Sequence, residues 1–187
     1  MRWEDKQLLL RLARKTLKNS FQREESPLRE VIDNLSSDNP LLLPRPCFVT
    51  LFGPKESLRG CIGCTETSES LVANVFRYVQ AAAFEDPRFS PVREDEIEHL
   101  KIHISVLGEL FPLKTLSDLK LGVHGLAVRY RERRGLLLAD VATKYGWTAE
   151  KFLKETAIKA RLPVEDLPSY DFFYFNQESF GEDYSPK

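Results

Sequence analysis

The stretch CFVTLFGPKESLRGCIG, residues 47–63, decides how the chain folds. Residues 48–52 are β-branched or aromatic apart from Leu51, the pattern of a strand, and they run into the turn material GPKES before a second extended run, LRGCIG. Two such runs joined by a short polar turn predict a β-hairpin, whose strands are antiparallel and need no crossover. In an extended LRGCIG the side chains alternate, with Leu58, Gly60 and Ile62 on one face and Arg59, Cys61 and Gly63 on the other. That places Arg59 and Cys61 side by side, about 7 Å apart at their Cα atoms, where a guanidinium favours thiolate over thiol. Gly60 and Gly63 leave the backbone open to a ligand or another chain segment and count, with Arg88 further along, as binding candidates. Cys64 is a poor partner for Cys61. Strand residues three apart point to opposite faces with Cα atoms about 10 Å apart, beyond the ~7 Å reach of a disulfide.

Outward from the hairpin, helices and strands interleave without a βαβ rhythm. Residues 4–20 repeat leucine at helical spacing between charged residues, and SPLREVIDNL offers Ser26 as a cap with Pro27 at the first helical position. After the hairpin, residues 69–84 put Leu71, Val72, Val75, Phe76, Val79, Ala82 and Ala83 on one side of a helix that Ser68 can cap and the prolines of EDPRFSP stop. REDEIEHL reads as one or two helical turns. KIHISVLGEL alternates as a half-buried strand, and GLAVRYRERRGLLL reads as strand, RERR turn closed by Gly135, and strand. DVATKYGW predicts a helix ending at Gly146, Thr148 caps another over 149–160, YDFFYFNQESF is a last buried strand, and GEDYSPK a solvated tail. The order predicts an α+β fold, a mostly antiparallel sheet flanked by helices.

Composition narrows the function classes. The 187 residues fit one medium domain or two subdomains, and 42% hydrophobic with 29% charged residues is an ordinary globular balance. With 27 basic and 28 acidic residues there is no global field toward nucleic acid or an anionic membrane. No apolar run approaches the ~20 residues of a bilayer span, and the charged, leucine-rich start is no signal peptide, so a cytoplasmic protein is expected. Three cysteines argue for reduced thiols over a disulfide framework. One Cys-x-x-Cys supplies only two ligands, and His99 and His103 straddle a helix-to-strand change, so neither a metal nor a cofactor is expected.

LRGCIG followed by a helix, then AAAFEDPRF, ISVLGE, GVHGLAV, RRGLLLADVA and GWTAEKFL in that order, resembles the AMMECR domain family from about Trp3 to Phe180. Within it the chain is similar to stand-alone microbial members of the kind encoded near Memo-like and radical-SAM proteins. The resemblance implies two unequal subdomains, the larger containing both chain ends, with the signature exposed near a cleft between them. It implies a functional association with those Memo-like and radical-SAM partners but brings no established reaction. By position, Leu58 to Gly63, Phe84 to Phe89, and Gly122, His124 and Gly125 match the family motifs; Cys64 stands where many relatives have threonine, and Cys47 where a small residue is usual.

Two functional readings follow. In the first, Cys61 is the nucleophile of a cysteine-dependent enzyme for a small molecule or modified macromolecule, Arg59 is its electrostatic partner, and Glu85, Asp86 and His124 assist as acids or bases. In the second, the same surface is a non-enzymatic adaptor for a protein or RNA. Each candidate also has a plain structural reading: Cys61 as a small buried hydrophobe, Asp86 and Arg88 as helix-end turn structure, His124 as a hydrogen-bonded loop residue, and the RYRERR arginines as a solvated turn. His99 and His103 read as surface residues.

Overall fold

The hairpin forms, with one irregularity that governs the site. The structure is a computed structural model and describes residues 1–22 and 25–182. β1 (Cys47–Phe52) and β2 (Leu58–Gly63) are antiparallel, with Val49 opposite Ile62, Thr50 opposite Cys61 and Leu51 opposite Gly60. Phe52 then faces Leu58, so Arg59 is the extra residue of a β-bulge.

α3 (Leu71–Phe84) covers one face of this hairpin. Its start lies two residues later than the apolar repeat suggests, because Ser70, not Ser68, accepts the Ala73 N–H. It buries Leu71, Val72, Val75, Val79, Ala82 and Ala83 against Val49 and Leu51 of β1 and the leucines of α1 (Trp3–Asn19). At roughly 1.5–3 kcal/mol per fully buried valine or leucine, this layer dominates the energetics of its unit. α2 (Pro27–Asp33) begins at Pro27 with Ser26 as cap.

The strand order of the six-stranded sheet is β2-β1-β3-β6-β4-β5. It comprises β3 (Lys101–Pro112), β4 (His124–Tyr130), β5 (Arg133–Leu137) and β6 (Asp171–Gly181) besides the first hairpin. β1 pairs antiparallel with β2 and β3, and β4 antiparallel with β5 and β6. The protein is α+β. The chain divides into two compact units, Met1–Val106 with the chain from Glu178, and Leu107–Gln177.

In the second unit, α4 (Ala139–Lys144) and α5 (Ala149–Lys159), the latter capped by Thr148, build a core with Leu126, Val128, Phe152, Ala157 and Phe172. The β4–β5 turn is tighter than a four-residue RERR loop. Only Arg131 and Glu132 connect the paired Tyr130 and Arg133, and Arg131 takes the left-handed φ of 53° that so short a hairpin requires. Gly135 therefore lies within β5 and does not close the turn. The arginines are engaged separately: Arg129 lies over the Phe173 ring, Arg131 over Tyr130, and Arg133 donates to the Arg161 carbonyl.

Glu182, expected in the solvated tail, instead receives hydrogen bonds from Arg14 and from the Ile102 N–H. The remainder of that tail, from residue 183, lies outside the described residues. Among the described residues no helix is long and apolar enough to cross a membrane.

Candidate functional site

β2 ends the strand order, so one of its edges has no strand neighbour. An uncovered edge offers unpaired N–H and C=O groups. Here the residues of FEDPRF occupy it. The Cys61 N–H donates to Asp86 Oδ2 at 2.8 Å, and Arg88 Nη2 donates to the Cys61 carbonyl at 3.4 Å. Asp86 is 4% exposed and also accepts the Arg88 N–H at 3.1 Å, its Nε at 3.0 Å and its Nη2 at 2.7 Å. The two sequence motifs are thus one structural unit.

Asp86 is consequently held as a carboxylate. Its pKa lies well below the usual range, first because of the Arg88 side-chain hydrogen bonds, with the backbone N–H groups of Cys61 and Arg88 adding to them and burial opposing. Glu85, next to it, is exposed, and its N–H closes the last turn of α3.

The bulge sends Arg59 away from its expected role. Its guanidinium meets the Glu96 carboxylate through two hydrogen bonds, 2.8 and 3.1 Å, and donates to the Ser90 and Pro91 carbonyls at 2.9 and 3.2 Å. Arg59 therefore pins residues 90–96 to the strand edge, and it lowers the pKa of Glu96, whose largest cause is that side-chain bond. The guanidinium that reaches Cys61 is that of Arg88. Gly60 is buried under α3, where a Cβ would stand 2.0 Å from the Ala82 carbonyl oxygen. The segment that approaches its bare backbone is a helix of the same chain. Gly63, opposite Phe48, is half-buried.

On the face of the sheet away from α3, register brings together residues that alternation alone does not connect. Thr50 lies opposite both Cys61 on β2 and His103 on β3, so Cys61, Thr50 and His103 form one row across three strands. The Thr50 hydroxyl donates to Cys61 Sγ at 3.2 Å. Cys61 and His103 are each partly accessible, whereas Thr50 is 9% exposed. A pocket of about 180 Å³ opens at the His103 end of the row, lined by Phe52, Glu56, Lys101, Ile102, His103, Gly181 and Glu182 and not by Cys61 or Thr50. Its size suits a ligand of few heavy atoms. Thr50 is not singled out by the sequence, and His103, read there as a surface residue, is partly buried. Their signal was the alternation of CFVTLF and KIHISV, which becomes informative only once the strands are in register.

His124 lies in the other unit. It is buried, its Nδ1 accepts the Lys120 N–H at 3.2 Å, and its ring stacks on Tyr174 with centroids 4.7 Å apart. Gly122, between them in sequence, takes a left-handed φ of 79° in the turn that this hydrogen bond closes. His124 thereby orders the entry to β4. Among the described residues no three His, Cys, Asp or Glu side chains gather as metal ligands.

Comparisons with known proteins place the sequence and its fold. The AMMECR1 family model matches residues 10–180. A protein of Methanothermobacter thermautotrophicus is 40% identical over 147 residues, covering 74% of this chain and 76% of that one. Protein MK0488 of Methanopyrus kandleri is 33% identical over 190 residues, 96% of this chain and 89% of its own. The crystal structure of an uncharacterised protein, PH0010, from Pyrococcus horikoshii superposes with a TM-score of 0.80 at 31% identity, covering 94% of this chain and 90% of that one. The chain therefore belongs to the AMMECR1 family.

Proposed function

We propose that this protein is a cysteine-dependent enzyme in which Cys61 attacks an electrophilic carbon of a small molecule, or of a small modifying group on a macromolecule, at the open face of the β2–β1–β3 strands. The observation that carries the reading is the Thr50 hydroxyl donating to Cys61 Sγ at 3.2 Å. A hydroxyl aimed at sulfur stabilises the charge that forms when the thiol loses its proton, and Arg88 adds a cation at the same residue. His103 serves as the proton acceptor for a bound substrate. It lies two strands from Cys61, about 10 Å between backbones, in the same cross-strand row and at the wall of the pocket. Asp86, Arg88 and Gly60 act as the frame that fixes Cys61, with Arg59 holding the flanking loop.

One observation favours the non-enzymatic alternative, in which the same face binds a partner. Asp86 accepts four hydrogen bonds and is held ionised, so it has no proton to give.

Exposure of the native protein to small thioesters distinguishes the readings. Intact-mass analysis is expected to show a single acyl group on Cys61 that is lost by hydrolysis over time, with none in Cys61→Ser. An acyl group found only on Cys64, or on no cysteine until the protein is unfolded, sinks the enzymatic reading.

A further inference from the structure

The remaining two cysteines meet on the opposite face of the same hairpin. Continuing the β1–β2 register past Phe48 and Gly63 sets Cys47 opposite Cys64, and the Cys64 N–H donates to the Cys47 carbonyl at 3.0 Å. Directly opposed residues joined in this way have Cα atoms about 5.5 Å apart, inside the 4.4–6.8 Å span of a disulfide. Opposed side chains share a face, here the one covered by α3, whose Tyr78 is close enough to Cys64 for the thiol to push the phenol pKa up. We propose that Cys47 and Cys64 are a redox pair that closes a cross-strand disulfide on reaction with a low-molecular-weight disulfide, while Cys61, facing the other way, takes no part in that bond.

Burial assigns the order of events. Cys64 is partly accessible, whereas Cys47 is 0% exposed and its thiol is pushed up by that burial. Cys64 as thiolate attacks one sulfur of the small disulfide, forming a mixed disulfide and expelling one small thiolate. The Cys47 sulfur, on losing its proton, then attacks the Cys64 sulfur and expels the second. Two protein thiols are oxidised, the small disulfide is reduced to two small thiols, and the two protein protons end on them. The new bond ties the first residue of β1 to the residue after β2. It also removes the Cys64 thiol from beside Tyr78, whose phenol is pushed up to about 12 by burial first and then by Cys64.

The test uses the full chain in glutathione buffers of increasing oxidised fraction, followed by acid quench, alkylation under denaturing conditions and tryptic mapping without reductant. Expected is a cross-link between the peptide carrying Cys47 and the one carrying Cys61 and Cys64, with fragment masses placing the bond on Cys64 and Cys61 outside it, alkylated or carrying glutathione. The cross-link disappears in Cys64→Ser, and Cys47→Ala accumulates glutathione on Cys64. Three alkylatable thiols at every ratio, a glutathione adduct on Cys64 that persists in the wild type, or a cross-link that survives in Cys64→Ser each overturn the proposal.

Discussion

Gly60→Ala is expected to cost about 3 kcal/mol of folding stability, the upper end of what an added methyl in a packed layer imposes. The alanine Cβ would lie 2.0 Å from the Ala82 carbonyl oxygen and 3.0 Å from its carbon, so relief requires moving the backbone of α3 and not a side chain. That helix carries much of the core of its unit, so the displacement reaches Val75, Val79 and Ala82. Cys61→Ser, one residue on and facing the other way, is expected to stay within about 1 kcal/mol of wild type, as changes away from a packed layer do. Urea midpoints of the two variants make the comparison. Equal midpoints for Gly60→Ala and wild type would mean that α3 does not press on the strand.

Asp86→Asn is the second large effect, a loss of about 3 kcal/mol at neutral pH, in the range for removing the charge of a buried, multiply bonded carboxylate. The Arg88 side chain remains 54% exposed, so Arg88→Ala costs less than the loss of its partner, solvent replacing part of what the pair supplied. The pH dependence follows from the sign of the shift. A carboxylate whose folded pKa is depressed contributes its full stabilisation above its unfolded value of roughly 3.9, and loses it as pH falls through the folded value. The gap between wild type and Asp86→Asn should thus be constant from pH 7 to 5 and narrow steadily below about pH 4. Urea unfolding at a series of pH values reads this directly. A gap independent of pH would show that shape, not charge, is what Asp86 supplies.

What was legible in the sequence was local. The apolar repeat of α3, the proline stop after Glu85 and the strand–turn–strand character of residues 47–63 follow from periodicity and turn chemistry. Ser68 and Ser70 are equivalent caps on paper, and only packing selects Ser70. The site was legible in its residues and not in its connections. Alternation alone puts Arg59 beside Cys61, but the bulge after Leu51 turns Arg59 toward Glu96. No local rule foretells a bulge. The same register hid Thr50 behind Cys61 and Cys47 opposite Cys64, since a one-residue slip of the hairpin would exchange those pairs. Asp86 lies twenty-five positions from Cys61, and its bond to that N–H depends on β2 being an edge strand.

The most direct test of Cys61 as the reacting group is its native-state rate of alkylation by iodoacetamide, followed residue by residue by mass spectrometry in wild type and Thr50→Val. The expected result is that Cys61 is labelled faster than Cys64 and far faster than buried Cys47, and that Thr50→Val slows Cys61 several-fold while leaving Cys64 unchanged. A Cys61 that reacts only after denaturation, or equally fast with and without the Thr50 hydroxyl, contradicts the account.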